Sequence, residues 1–569
     1  MPNPVVPEEV SALARQLAEP RRMRRGSVSE RYVKCNKAGC RCADHTDARH
    51  GPYYSVTCVV KRPHEVSVAG CRASQAGPRA GCNRPEVPRA CQSVLAGLRA
   101  MGRCPTRRLR GRLARGGQKK GFKAAFEVET VAEIEALVGT GVVDDWDFEA
   151  IETAAHRMAM RVAARVVEQR LNADTSDHAG PMLPCACGQS ARYAGRHGKD
   201  FESVLGPLRL ERAYYYCALC EAGFCPRAGA LGLEGGSLSP GVLRMVGRVG
   251  AMVSFEEGHE LLHELAGVNV PTKHVERAAE ALGREIAEDE KLVVEPPGAN
   301  EPLAPTLYLG MDGTGVPVRK EELVDRPGKQ PDGSAKTREV KLVTIWSAEG
   351  RDKKGTPVRD AGSISYSAAI ESAAHKDTDP TPSEFAARVE REATRRGFDR
   401  VSRQAVLGDG AKWIWNLADE HFPDAVQIVD RFHAKQHLSD VAKSIYGAGT
   451  DLAEQWARER HDELDAGDID SILNALRVHS LIDDEARKCV DYVERNRERM
   501  RYPQFRAAGL CTSTGVVEAG CKVAIGTRCK RAGMHWTVAG VDAIIALRCC
   551  KLSGRFEEFW ERRAQRRGA

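Results

Sequence analysis

The sequence predicts a multidomain protein of mixed α and β structure, and three observations predict this class. The chain has 569 residues, 42% of them hydrophobic, which is enough for three or more domains with ordinary cores. Its second half alternates strand-like apolar runs with amphipathic helical segments, and its first half combines close cysteine pairs with helical periodicity. The roughly 18 consecutive apolar residues of a membrane-spanning helix are absent, and no secretory leader is visible. We therefore expect a cytoplasmic protein without a membrane partner.

Charge and cysteine content narrow the choice of partners. The net charge is +7, and arginines cluster at 21–25, 107–115 and 562–567. Such clusters favour a polyanion as partner, although they also occur on ordinary solvated faces. The chain contains 19 cysteines. Without a visible leader, these favour metal sites or free buried thiols over disulfides.

The first two segments of the chain differ in composition from the rest. Residues 1–62 form a small unit whose thiols and imidazoles suit a zinc site, although free thiols fit equally well. Its candidate ligands are Cys35, Cys40, Cys42, His45 and His50. Residues 63–118 lack lysine and are rich in arginine, glycine, proline and cysteine. A flexible basic arm fits this bias, out-of-frame translation of a GC-rich gene fits it better, and both predict low order.

Residues 119–235 are expected to form helices and then a zinc ribbon. Helical spacing covers 128–137 and 147–171 within a region at 119–180, and its apolar stripe is typical of a packing face. Residues 181–235 contain two close thiol pairs separated by strand-like sequence, which is typical of a structural zinc site. The pairs are Cys185 with Cys187 and Cys217 with Cys220. The first spacing is Cys-x-Cys, which is less specific than Cys-x-x-Cys, so unmetallated thiols remain the alternative.

Residues 236–294 predict a helix-turn-helix. One helix opens at Ser254 and ends at Ala266, a turn containing Gly267 follows, and Thr272 is expected to cap a second helix. This order is that of a DNA-binding helix pair, although any two packed helices share it. The predicted DNA contacts are Lys273, His274 and Arg277.

Three carboxylates in separate elements indicate a metal-dependent phosphoryl-transfer site. Asp312 is expected at the end of a strand, where Gly313 and Gly315 leave room for an anionic ligand. Asp409 follows another predicted strand, and Glu518 lies further along the chain between small residues. Each alone is more typical of a cap or turn. As an ordered trio they suit two Mg²⁺ ions, which prefer oxygen ligands and for which Mn²⁺ substitutes.

The order of predicted elements around this trio is that of an RNase H-like α/β domain. Three strands, a helix and two further strands occupy 300–433, and the remainder of the domain is expected at 510–550. In that order the first and fourth strands are neighbours, which brings Asp312 and Asp409 together. Residues 434–509 are expected to form a charged, surface-facing helical insertion with apolar positions such as Leu452 and Trp456.

These segments resemble insertion-sequence transposases of the ISKra-four family, within the Mutator-like DDE group. The segments that carry the resemblance are MDGTGVP at 311–317, DGSAKTREVK at 332–341, LGDGAKWIW at 407–415, DRFH at 430–433, GVVE at 515–518 and CK at 521–522. The resemblance implies a DDE nuclease and strand transferase whose metal ligands are Asp312, Asp409 and Glu518. Asp430 and His433 match the family's D-x-x-H motif, so His433 is expected to orient groups near the scissile phosphate; a buried structural histidine is the alternative.

The resemblance also implies partners. These are double-stranded DNA, as inverted-repeat ends and target, and further copies of the chain assembled on DNA at the bacterial nucleoid. Residues 26–60 resemble a small protein that is usually encoded separately upstream. The competing interpretation is a catalytically inactive, transposase-derived DNA-binding protein that keeps the zinc ribbon and helix-turn-helix.

Overall fold

The computed structural model describes residues 131–132, 147–233, 236–324, 335–353, 355–371, 383–513 and 515–568. These residues belong to one compact unit, Arg115–Ala569. The predictions for 1–62 and 63–118 fall outside the described residues, and of the helix predicted at 128–137 only 131–132, which are helical, lie within them. The candidate zinc site of residues 35–50 falls outside them as well.

The described chain is a mixed α/β structure, as the sequence predicts. Its strands are β1 Met182–Pro184, β2 Ser190–Ser203, β3 Gly206–Cys217, β4 Ala222–Phe224, β5 Thr306–Pro317, β6 Thr337–Trp346, β7 Gly350–Arg351, β8 Pro357–Val358, β9 Ser365–Ile370, β10 Arg403–Gly408 and β11 Val426–Val429. The helices up to the last strand are α1 Phe148–Asn172, α2 Pro226–Leu231, α3 Pro240–Met252, α4 Phe255–Ala266, α5 Thr272–Leu292, α6 Glu384–Arg396 and α7 Lys412–His421. Those that follow are α8 Arg431–Tyr446, α9 Asp451–Ala466, α10 Ile469–Ser480, α11 Asp484–Asn496, α12 Tyr502–Ala507, α13 Gly515–Gly520, α14 Thr527–Cys529, α15 Val538–Leu552 and α16 Phe556–Gly568. Within the described residues, no helix combines the length and apolar character that a bilayer crossing demands.

Helix α1 and the first sheet form the N-terminal part of the described chain. Asp147 caps α1 by accepting a hydrogen bond from the Ala150 amide. The sheet has the antiparallel order β1-β2-β3-β4. Ala164 of α1 packs on its apolar side chains, but Ile151 and Val166 of the predicted packing stripe are exposed. The described residues thus cover only part of that stripe.

The predicted helix pair is present as α4 and α5. Ser254 and Glu257 form a reciprocal capping box at the start of α4, and Gly267 ends that helix in a left-handed conformation. The predicted cap at Thr272 is wrong by one position. Pro271 occupies the cap and makes no side-chain hydrogen bond, so Thr272 is the first helical residue. Proline suits this place because the first amides of a helix lack carbonyl partners in the helix.

The larger sheet carries the candidate site. Its order is β11-β10-β5-β6-β9, in which β10 runs parallel to both β5 and β11, whereas β6 is antiparallel to β5 and β9. The predicted adjacency of the first and fourth strands is therefore confirmed. Val406 lies opposite Leu309 and Leu407 opposite Gly310, so β10 ends beside the middle of β5.

The position of Asp312 in its strand differs from the prediction. Strand β5 does not end at Asp312 but continues to Pro317, paired with β6 along its whole length. Gly313 and Gly315 are strand residues, and they do not open space for a ligand. A Cβ at Gly313 would lie 2.7 Å from Glu339 Oε1, and one at Gly315 would lie 2.7 Å from Thr337 Oγ1. Cross-strand side chains account for both glycines.

The helical insertion is built into the main core. Helices α8 to α11 follow β11, and Trp456, Leu464, Ile472 and Tyr492 share one cluster of buried side chains with the sheet. Leu452 departs from its predicted apolar role, because 63% of it is exposed. The insertion therefore supports the sheet as well as facing solvent.

Helices α3 to α5 also share a core with the sheet. Val246 of α3 and Ile286 of α5 belong to the same buried cluster as Leu342 of β6 and Ile545 of α15. The predicted boundary between 294 and 300 thus coincides with a linker but with no break in the buried packing. A cut there would expose large apolar surfaces on both pieces.

A glycine at the crossing of α5 and α15 supplies a stability prediction. A Cβ at Gly283 would lie 2.0 Å from the carbonyl oxygen of Ala543, a backbone atom that cannot move aside by itself. We expect Gly283→Ala to lower the free energy of unfolding by about 1–3 kcal/mol, the usual cost of overpacking, in chemical denaturation. Gly350→Ala is the control, because its nearest neighbours lie at 3.5 Å or beyond. Equal stability of the two variants would contradict the close crossing.

Candidate functional site

Asp312 lies half-buried on β5 among polar neighbours. The amide of Gly313 donates to its Oδ1 at 2.7 Å, and the thiol of Cys521 contacts the same carboxylate. Burial raises the pKa of Asp312, and the nearby charge of Asp409 raises it further, whereas Cys521, Gly313 and His433 oppose the shift. The site therefore carries negative charge that the protein only partly compensates.

Asp409 follows β10 directly, as predicted, and a tight turn fixes it. Its Oδ1 accepts a hydrogen bond from the Ala411 amide at 2.9 Å. Gly410 has a φ of +102°, and a Cβ there would lie 2.3 Å from the ring of Tyr492. The Tyr492 hydroxyl donates to the backbone carbonyl of Asp409 at 2.8 Å. The insertion therefore holds the Asp409 turn in place.

His433 lies with these two carboxylates. It is in the first turn of α8, which Asp430 caps by accepting hydrogen bonds from the Phe432 and His433 amides. Nδ1 of His433 is 3.8 Å from Oδ1 of Asp430, a distance suited to charge attraction rather than a hydrogen bond. Asp430 raises the pKa of His433, Asp409 and Asp312 raise it further, and burial opposes them.

Glu518 is the third predicted carboxylate, and its side chain is exposed. It lies on α13, its side chain is 59% exposed, and Lys522 Nζ is 2.8 Å from its Oε1. Within the described residues, the four thiols Cys185, Cys187, Cys217 and Cys220 are the group whose ligand atoms all lie within 4.8 Å of one another. The carboxylate trio is therefore not gathered that closely.

The helix of Glu518 nevertheless packs on the strand of Asp312. Val517 is buried against Gly310, where a Cβ would lie 2.0 Å from Val517 Cγ2. Cys521, one turn after Glu518, contacts Asp312. Glu518 thus belongs to a helix anchored on both sides of it against β5, with its carboxylate turned outward.

Three neighbours of the site were given no role in it by the sequence-based predictions. Cys521 is three positions after Glu518, and His437 is four positions after His433, so helical spacing was the available signal. The His437 ring contacts the Tyr492 ring at a tilt of 43°, with ring centroids 4.2 Å apart. No sequence signal links Tyr492 to Asp409, because 83 positions separate them.

The predicted DNA contacts lie at the start of α5. Lys273 and Arg277 are exposed and His274 is half-buried. Lys273 Nζ is 2.7 Å from Glu276, so one predicted contact is already engaged in an ion pair on its own helix.

The four predicted zinc ligands form one cluster at the end of the first sheet. Cys185 Sγ is 3.5 Å from Cys220 Sγ, and Cys187 Sγ is 3.7 Å from Cys217 Sγ. Zinc–sulfur bonds of about 2.3 Å place the sulfurs of a tetrahedral site roughly 3.8 Å apart. The cluster can therefore hold a metal ion such as zinc.

Backbone amides point at the sulfurs of both cysteine pairs. The Cys220 and Leu219 amides donate to Cys217 and lower the pKa of its thiol to about 7. The Gln189 amide donates to Cys187 and favours its thiolate, although the neighbouring Cys185 thiol and burial leave the pKa of Cys187 raised. Such amide donors stabilise thiolate, which is the form that binds metal. The antiparallel pairing of β2 with β3, which sets Arg192 opposite Tyr216, brings the two cysteine pairs together.

The charge of Asp430 can be tested apart from its capping role. In Asp430→Asn the side-chain oxygen can still cap α8, but the negative charge beside His433 is lost. We expect the pKa of His433 to fall in histidine-selective NMR titration. The pKa of His433 is raised from 6.5 in the folded protein. The attraction to Asp430 therefore stabilises the fold fully below pH 6.5, the ordinary pKa of histidine, and this stabilisation is lost as the pH rises through the raised pKa of His433. Asp424→Asn, on the exposed surface, serves as control; an unchanged pKa in Asp430→Asn would contradict the assignment.

Comparison with known proteins gives one match. Residues 6–57 match a family described as a domain of unknown function (DUF6788). The match lies within the N-terminal unit predicted at 1–62, outside the described residues, and its description carries no function. No curated protein matches the chain.

Proposed function

We propose that the protein is a DDE transposase, similar to the ISKra-four family, that binds the ends of its insertion sequence and carries out metal-dependent cleavage and strand transfer of DNA. The observation that carries the proposal is the parallel pairing of β5 with β10, which sets Asp312 and Asp409 beside each other with His433. The sheet order, with a helix between the third and fourth strands, is that expected of an RNase H-like domain.

The donor set suits hard divalent cations. Asp312 and Asp409 offer carboxylate oxygens, the ligands that Mg²⁺ and Mn²⁺ prefer. Burial and, to a smaller extent, the charge of Asp409 raise the pKa of Asp312, and a bound cation would offset both effects. When bound, two such ions supply activation of the attacking oxygen and stabilisation of the leaving oxygen in phosphoryl transfer. We infer that Glu518 completes the set when Lys522 releases it.

The residues around the trio have distinct parts in this proposal. Tyr492 and Gly410 hold the Asp409 turn, and Cys521 donates to Asp312 and fixes its carboxylate. His433, kept more protonated by Asp430, offers a positive group to the phosphate that is cut. Lys522 is free to pair with DNA phosphate once it leaves Glu518.

DNA recognition is assigned to the region before the large sheet. A carboxylate site repels phosphate, so affinity must come from other surfaces. Exposed Lys273 and Arg277 with His274 on α5 are the proposed base or phosphate contacts. The four-cysteine cluster is proposed to hold a structural zinc that keeps the first sheet folded. Copies of the chain are expected to assemble on the two DNA ends.

The direct test uses the full chain and a linear DNA carrying the element's own ends. With Mg²⁺ or Mn²⁺ we expect strand breaks at the ends and joining of the freed 3′ ends to a target duplex. Ca²⁺ in place of Mg²⁺ and scrambled ends are the controls. Specific end binding without cleavage under all metal conditions would contradict the enzyme.

One observation favours a second candidate function. The Glu518 side chain is 59% exposed and paired with Lys522, and the three carboxylates do not all lie within 4.8 Å of one another as the four thiols do. A transposase-derived DNA-binding protein without activity fits this arrangement. The same assay separates the two, because that protein binds the ends and leaves them intact.

A further inference from the structure

We propose that Arg548 is a positioning residue that fixes the orientation of Glu518 by holding the π-helical turn that follows it. The role of Glu518 in this proposal rests on the proposed function. The attachment of the π-helical turn by Arg548 rests on hydrogen bonds within the chain.

The helix that carries Glu518 changes from α-helical to π-helical shortly after that residue. Helix α13 continues into a π-helical turn, Cys521–Gly526, and then into α14. Single π turns are rare and frequently occur at functional sites. With about 3.6 residues per α-helical turn, one extra residue changes the direction of everything beyond it by roughly 100°. The π turn therefore sets the angle between Glu518 and the downstream part of the helix.

Arg548 and Thr527 hold this π-helical turn through hydrogen bonds to one backbone carbonyl. The carbonyl oxygen of Val523 accepts hydrogen bonds from Arg548 Nε at 3.0 Å and Nη2 at 2.5 Å, and from Thr527 Oγ1 at 3.0 Å. Arg548 Nη2 also donates to Thr527 Oγ1 at 2.7 Å. These donors satisfy a carbonyl in the wide turn, where regular α-helical pairing is interrupted.

The guanidinium of Arg548 also reaches helix α3. Its Nη1 donates to the carbonyl of Ala251 at 2.5 Å. Arg548 is only 3% exposed, and within the described residues no carboxylate lies at salt-bridge distance from it. The last carbonyls of a helix lack partners and carry negative partial charge, which is what the buried guanidinium meets.

A second arginine strengthens the same connection. Arg528, on α14, is fully buried and donates through Nε to the Gly250 carbonyl at 2.9 Å. Its guanidinium lies 4.6 Å from the ring centroid of Phe255 and 5.1 Å from that of Trp536. Arg548 and Arg528 thus both attach the segment after Glu518 to the end of α3. Val517 holds the segment before Glu518 on β5.

The test compares two arginines that both hold backbone carbonyls. Arg548→Lys removes the bridging geometry between Val523 and Ala251 while keeping the charge. The control is Arg396→Lys, because Arg396 donates to the Ile345 and Ser363 carbonyls and to Ser365 Oγ, away from the Glu518 helix. Thr527→Val is a milder second variant that removes one of the donors to Val523.

Two readouts on the full chain are expected to move in Arg548→Lys and in Thr527→Val, but not in Arg396→Lys. Backbone amides of 515–529 should exchange hydrogen faster, by mass spectrometry. The Mg²⁺ concentration for half-maximal cleavage should rise by about tenfold or more, the scale seen when a group supporting a metal ligand is lost, while end binding without metal stays unchanged.

Unchanged exchange and Mg²⁺ dependence in Arg548→Lys would overturn the proposal, as would equal changes in Arg396→Lys. If Arg548→Lys does not fold, Thr527→Val decides by the same readouts. Failure of the proposed function has a different signature, since the wild-type chain itself then cuts no DNA. In that case the hydrogen exchange of Arg548→Lys, compared with that of Arg396→Lys, decides by itself whether Arg548 holds the segment after Glu518.

Discussion

Asp312→Asn, Asp409→Asn and Glu518→Gln are each expected to reduce metal-dependent cleavage to less than about one-hundredth of the wild-type rate, the scale on which losing one preorganised electrostatic contact lowers kcat. Each amide keeps the shape of the side chain but removes an anionic oxygen that a divalent cation needs. Binding of end DNA should persist, because the proposed function assigns it to other surfaces. Cleavage of end DNA is measured in Mg²⁺, and binding of the same DNA is measured in parallel by electrophoretic mobility shift.

Matched substitutions elsewhere in the same domain provide the controls. Asp424→Asn and Glu420→Gln change exposed carboxylates and should cut like the wild type. Glu518 gives the most informative comparison, because it is the carboxylate engaged by a lysine. Near wild-type cleavage by Glu518→Gln would remove it from the site and leave Asp312 and Asp409 without their third partner.

Cys217→Ser is expected to remove one equivalent of zinc from the full chain and to destabilise the first sheet. A serine hydroxyl is a poor zinc ligand, and structural zinc contributes folding free energy on the order of 10 kcal/mol in small zinc modules. We expect lower zinc content by elemental analysis and rapid proteolysis between 181 and 235. End binding should weaken in parallel.

Cys225→Ser is the paired control for this experiment. Cys225 is a partly buried neighbour at the start of α2 and lies outside the thiol cluster. Counting the difference between variants also cancels any zinc held by residues 35–50. Equal zinc content in Cys217→Ser and wild type would leave the four cysteines as ordinary thiols.

Local patterns predicted much of the architecture, because period-two apolar runs and capping residues act over short distances. The place of Asp409 after its strand and the cap of α4 at Ser254 follow from such patterns, whereas the pairing of the first and fourth strands was expected from the order of elements. The two thiol pairs also came together as their residue types indicated.

The misses have physical causes that no local pattern carries. Two glycines after Asp312 suggested a turn, yet they accommodate Glu339 and Thr337 of the adjacent strand. The Tyr492 contact with Asp409 depends on how the insertion folds back, which only tertiary packing decides. The same holds for Arg548, a cation in an apolar helix whose partners are backbone carbonyls.

The interleaved core has a consequence for synthesis of the chain. Helix α15, near the C-terminus, is buried between α5 and β9, and its side chains complete the cluster that α3 and α5 begin. Contacts of such long sequence separation form late, since the loop must close before they contribute. A nascent or truncated chain that stops before 515 holds Asp312 and Asp409 but lacks both Glu518 and α15. Such products are expected to be protease-sensitive, and under the proposed function they would also lack the third carboxylate that cleavage needs.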